Sequence, residues 1–165
     1  IACYMETWMS GGLGRALGSY DEMYFRSMVK DNAPIYSVVG LETEGTTIDF
    51  QVGANAYLYG TRFVTYLAQA YGHDKLRAFY SRTDSSKAFY AAQFHKVYGK
   101  SVYQAWSDWI DFERKFQEKN LGRIREYPLT DFRPVISEPL GSFSNIGYDA
   151  EEKVIYAAVN HPGEI

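Results

Sequence analysis

Apolar residues recur along most of this chain at three- and four-residue steps, the spacing of helices that bury one face. The clearest run is residues 56–71. There Ala56, Tyr57, Gly60, Phe63, Val64, Leu67, Ala68 and Tyr71 read as one continuous apolar stripe, with Asn55 as its cap and Gly72 where a left-handed residue closes a helix. Asp74 predicts the start of a short helix through Leu76 and Phe79 to Tyr80. Ser85 or Ser86 predicts the cap of the next, which passes through Ala88, Phe89, Ala92 and Val97 to Gly99. A last helix opens at Ser101 and turns Val102, Ala105, Trp106, Trp109, Ile110 and Phe116 inward. Its other face, with Asp108, Asp111, Glu113, Arg114, Lys115 and Glu118, predicts a solvated charge pattern.

The first third is less regular. From Trp8 to Leu17 the pattern is helix-like, yet it carries Gly11, Gly12 and Gly14, with Gly18 just beyond. Each interior glycine costs about 1 kcal/mol relative to alanine, so such a helix needs packing to hold it. Ser19 and Asp21 are candidate caps for a second helix running to about Lys30, with Met23, Phe25 and Met28 available for burial. Residues 31–53, with Pro34, Gly40, Gly45 and Gly53, predict a long irregular loop.

Beyond Asn120, Pro128, Pro134 and Pro139 rule out a continuous helix. Residues 142–148 and 154–159 then read as two strands around the polar turn 149–153. The pattern therefore predicts a mainly α chain: a helical bundle subdomain over 1–127, then a linker and a short C-terminal β-hairpin or strand pair over 128–165. Two strands alone are marginal in water and need a sheet to join.

Composition narrows the function classes. Aromatic residues make up 17% of the 165 positions, including 15 Tyr and 10 Phe, so rings must build much of the core. A formal net charge of -3 offers no basic field for phosphate backbones, and no nucleic-acid partner is expected. No apolar run approaches the roughly 20 residues of a membrane span. The single Cys3 excludes an internal disulfide and a thiolate metal cluster. Ile1 and Ile165 read as cut boundaries of a longer protein, and a signal peptide upstream of Ile1 is compatible with that reading.

Several short segments share an order with one family. Trp8-Met9-Ser10-Gly11-Gly12-Leu13-Gly14 resembles the Trp-x-x-Glu-Gly-Leu-Ala segment of the gluzincin zinc peptidases, the clan of aminopeptidase N and thermolysin. Tyr57-Leu58-Tyr59-Gly60, followed by Phe63 to Leu67 and Tyr71-Gly72, is similar to the Tyr-x-x-Gly helix of the aminopeptidase branch. The Gly99-Lys100-Ser101 turn before Trp106 and Trp109 looks like the tail of such domains. The C-terminal strand pair resembles the first blade of a TolB-like or WD40-like β-propeller. The resemblance spans about residues 4–120 and 137–163. It implies an extracytoplasmic zinc-peptidase-like protein, periplasmic or secreted, of which this is the C-terminal helical half. It also implies that Tyr57 stands at the position of the oxyanion donor and Gly11 at that of the third zinc ligand.

The departures from that family are chemical. No H-E-x-x-H occurs, and His73, His95 and His161 have no partner four residues away. Gly11 replaces the ligand glutamate, and zinc needs a side-chain N, O or S donor that glycine lacks. Glu6 lies about 140° away around a helix and Glu22 lies beyond the Gly18-Ser19 break, so neither substitutes. His73 reads as an exposed turn residue and His95 as a surface residue. Ser10-Gly11-Gly12 lacks the glycine and the strand that precede a nucleophile elbow, and Gly11-Gly12-Leu13-Gly14 lacks the βαβ setting of a dinucleotide loop. Tyr57 also fits a core tyrosine on its apolar stripe.

The expectation is a degenerate zinc-peptidase-like piece, inactive alone and without zinc or another cofactor in this chain, able to engage peptide or protein. The rest of a parent protein is expected to pack against it. The alternative is a helical interaction module for a protein or polysaccharide partner. A cavity shared by Tyr57 and Gly11 favours the first reading, and unrelated surfaces favour the second.

Overall fold

The computed structural model describes residues 1–38, 52–81, 90–137 and 142–160. The chain divides into two compact units, Ile1–Tyr127 and Pro128–Ile165. The fold is mainly α with a C-terminal antiparallel hairpin.

The first unit holds six helices among the described residues: α1 (Ala2–Met9), α2 (Ser19–Lys30), α3 (Val52–Tyr71), α4 (His73–Tyr80), α5 (Tyr90–Tyr98) and α6 (Val102–Ile124). A single 3-10 turn, Arg15–Leu17, sits between α1 and α2. The helix expected over residues 8–17 is absent. α1 lies earlier and ends at Met9, because Gly11, Gly12 and Gly14 take φ of +72°, +105° and +147°. The chain turns back there. Thr7 Oγ1 donates to the Cys3 carbonyl at 2.9 Å and accepts from Ala16 N–H at 3.1 Å, tying the 3-10 turn onto α1. A Cβ at position 14 would overlap Thr7, so close backbone approach as well as φ requires glycine there.

α2 begins at Ser19 with Gly18 at its cap and no side-chain capping bond, which corrects the expectation for Ser19 and Asp21. Asp21 is instead buried in the first turn, accepting from Arg15 Nε at 3.2 Å and Nη2 at 3.0 Å. Of the three residues assigned to its inner face, Phe25 is fully buried and Met28 packs on the core, while Met23 is exposed.

α3 starts at Val52, so Asn55 lies inside the helix rather than at its cap. Its middle is buried nearly all round, from Leu58 through Ala68, as befits a central helix. Tyr57 does not belong to that core. It stands two residues, or about 200°, from the fully buried Tyr59 and is 60% exposed. Gly72 does take a positive φ, +86°, though with extended ψ, and caps α4 from before. The predicted caps Ser85 and Ser86 lie outside the described residues, as do Ala88 and Phe89. In α5 the buried residues are Phe94 and Tyr98, with Ala92 exposed.

Ser101 caps α6 with a reciprocal pair: its hydroxyl accepts from Gln104 N–H at 3.2 Å, and Gln104 Oε1 accepts from Ser101 N–H at 3.2 Å. Ala105, Trp106 and Trp109 face inward as expected. Glu113 does not lie on a solvated face. It is 1% exposed and takes bidentate hydrogen bonds from the buried Arg62, from Nη2 at 2.8 Å to Oε1 and from Nε at 3.2 Å to Oε2. Gln117, also buried, donates to the same carboxylate at 2.8 Å.

The main core is built from rings. Phe25, Tyr59, Phe63, Trp106 and Trp109 meet at centroid separations of 4.8–6.3 Å, several of them edge to face. Trp106 Nε1 donates to the Tyr36 carbonyl at 2.9 Å, anchoring the segment after α2. A second, smaller cluster of Tyr4, Ala16, Val64, Ala68 and Leu76 lies where α1, the 3-10 turn, α3 and α4 meet.

The second unit contains β1 (Ser142–Asp149) and β2 (Val154–Asn160), paired antiparallel from Ser142↔Asn160 to Asp149↔Val154. One extra residue in β1 between Ser144 and Gly147 makes a bulge, with Asn145 at φ +51°. Asp149 Oδ1 accepts from Glu151 and Glu152 N–H and shapes the turn. Ile146, Tyr148, Ile155 and Tyr156 are all at least 49% exposed.

Candidate functional site

Concave surface in the helical unit gathers around α1. Its N-terminal residues Ile1, Ala2 and Cys3 face Ala56, Tyr57, Gly60 and Thr61 of α3 across a hollow of about 220 Å³. Further along α1, Tyr4, Thr7 and Trp8 join Gly11, Gly12 and Leu17 from the following turns, and Thr65, Gln69 and His73, around a hollow of about 350 Å³. A third hollow, about 80 Å³, lies among Met5, Trp8, His73, Leu76, Arg77 and Tyr80.

The second and third hollows share a wall. Trp8 stacks on His73 with centroids 5.0 Å apart and planes 13° from parallel. Tyr4 lies behind the same imidazole at 5.9 Å, and its hydroxyl sits 2.9 Å from His73 Nδ1. Burial pushes the Tyr4 phenol up from its ordinary value, so it stays protonated at neutral pH. Position 73 is thus exposed at a helix start, as the sequence suggests, but its ring is fixed by two aromatic neighbours.

Gly11 and Tyr57 line different hollows. Gly11 sits in the turn after α1 rather than on the helix, and nothing lies within 4 Å of where its Cβ would be. It has no side-chain donor for a zinc ion. Glu6 is exposed on α1. Glu22 is already engaged, accepting from Asn120 at 3.1 Å and Arg26 at 3.4 Å. His95 is exposed in the last turn of α5, and His161 lies outside the described residues. Among the described residues no three His, Cys, Asp or Glu side chains come together as a cation site, so the residues present do not fit the zinc implied by the gluzincin resemblance. Among the described residues, no helix is long and apolar enough to cross a membrane.

Sequence reasoning singled out neither the Trp8–His73 pair nor Gln69. Trp8 and His73 are 65 positions apart, and only the tertiary packing of α1 near the start of α4 brings them together. Gln69 had one available signal: it follows Thr65 by four residues, so both occupy the same face of α3. Comparison of the chain with family models, curated proteins and solved structures found no match.

Proposed function

We propose that this chain is the non-catalytic helical half of an exported zinc-peptidase-like protein, its metal position lost at Gly11, and that it binds polypeptide rather than cleaving it. The separation of Gly11 and Tyr57 into different hollows supports only the non-catalytic part of this reading; it lends nothing to the peptidase ancestry. A working centre of this kind needs a metal ligand and an oxyanion donor converging on one reacting carbonyl. Here one position has no donor atom, and the other opens onto different neighbours. The gluzincin ancestry and the extracytoplasmic setting rest on the Trp8–Gly14 and Tyr57–Gly72 segments.

That separation favours the second reading, a helical interaction module without peptidase ancestry, over a peptidase-derived cleft. Both readings share the prediction that the chain does not hydrolyse peptides. Zinc analysis with a peptidase assay on the longest natural form of the protein tests this. The expected result is no stoichiometric zinc and no turnover. Tightly bound zinc with turnover abolished by Tyr57→Phe would overturn it.

A further inference from the structure

The two outer edges of the hairpin differ. β1 is broken by its bulge, with Asn145 at φ +51°, and it ends in the charged Asp149. A kinked, charged edge resists further pairing. β2 (Val154–Asn160) has no charged residue, no proline, no glycine and no positive φ. Among the described residues its outer edge has no strand beside it. A regular, uncharged, open edge is a template for another strand, and two strands alone are marginal in water.

We infer that β2 pairs edge to edge with β2 of a second copy of this chain, antiparallel about a two-fold axis at Ala157, giving a four-stranded sheet. The sequence of β2 selects that occupant. About this axis Ile155 stands opposite Val159 of the second copy, Tyr156 opposite Ala158, and Ala157 opposite its own equivalent. Ile155, Ala157 and Val159 alternate onto one face, shared with Tyr148, the cross-strand partner of Ile155. Tyr156 and Ala158 occupy the other face. Each ring therefore meets an alanine, the branched side chains meet each other, and no like charges oppose. Moving the axis one residue towards the turn would set Lys153 against Val159. Ile155, Tyr156 and Val159 are 49%, 57% and 41% exposed, so the side chains that flank the new pairing are open. The interface is isologous and leaves only the bulged β1 edges outward, so it closes at two copies. A standard interface engages about 20–30 residues a side, and an edge of this length engages about a third of that, so the dimer is weak. This inference does not depend on the peptidase-like or polypeptide-binding readings.

The test is sedimentation equilibrium of the full 165-residue chain from about 10 µM to about 1 mM, where a weak monomer–dimer equilibrium is expected. Ala157→Lys sets two ammonium groups opposite each other at the axis and is expected to weaken the dimer about tenfold. Ala157→Glu is expected to do the same with two carboxylates. An equimolar mixture of the two variants is expected to recover a heterodimer, because opposite charges then meet across the axis. Far-UV circular dichroism, dominated by the helical unit, is expected to be unchanged in both. A chain that stays monomeric throughout that range would overturn the inference and leave the β2 edge to a strand of other sequence. Growth beyond dimers would also overturn it, as would a dimer that Ala157→Lys leaves intact. Loss in both variants without recovery in the mixture would refute the two-fold pairing at Ala157.

Discussion

α3 is buried against two different surroundings, and the contrast explains where this molecule is rigid and where it is hollow. Towards α2 and α6 it meets rings: Tyr59 and Phe63 pack with Phe25, Trp106 and Trp109, and Arg62 reaches the buried Glu113. Towards α1 and α4 its own residues are small: Val64 and Ala68 sit with Tyr4, Ala16 and Leu76. Large interlocking rings fill space on the first side. On the second, the glycine turn and short side chains leave concave surface, and the hollows lie there. The first side is filled; the second is hollow.

The sharpest way to break the comparison is to attack the ion pair. Glu113→Ala leaves the Arg62 guanidinium buried without its carboxylate and is expected to cost about 3–5 kcal/mol in urea unfolding. Replacing both partners together, Arg62→Met with Glu113→Leu, is expected to recover most of that loss. A double variant as unstable as the single would show that the pair itself, and not the stranded charge, carries the stability.

A smaller effect is expected from the hollow side. Gly14→Ala puts a methyl group into Thr7 at a φ that L residues avoid, and it should cost about 1–3 kcal/mol. If the two sides differ as described, the loss comes with collapse of the 3-10 turn and little change in the Trp106 and Trp109 signals. Broad perturbation of those indoles would mean that the two sides are one cooperative core.

The smallest effect concerns an imperfection on the ring-packed side. The Tyr98 hydroxyl is buried with no partner, and burial pushes its pKa up to about 12. The folded chain therefore holds this proton more tightly than the unfolded chain, whose tyrosine titrates near 10. The stability tied to that proton is intact below pH 10 and is lost as pH rises through about 12. Tyr98→Phe removes an orphan donor, so its effect at pH 7 is expected within about 1 kcal/mol of zero. Its stability should then fall less steeply between pH 10 and 12 than that of the parent chain. Parallel slopes would refute the assignment.

What could be read from residue order was local. The three- and four-residue apolar steps predict a mainly α chain, Ser101 with Gln104 specifies a helix start, and alternation around residues 149–153 predicts the hairpin. Each of these depends on neighbours within a few positions, which a one-dimensional pattern records. Glu113 shows the limit. It follows Trp109 by four residues and so shares the inner stripe of α6, yet its charge argued for solvent until Arg62, 51 positions away, supplied a partner. Tyr57 shows the reverse: apolar neighbours suggested a core position, and the rotation of α3 turned it outward. The glycines at 11, 12 and 14 were legible as a weakness in a helix, but only the tie between Thr7 and Ala16 made them a turn. The Trp8–His73 ridge and the hollows beside it had no signature in the sequence. They arise from the distance between faces of separate helices, and tertiary packing alone sets that distance.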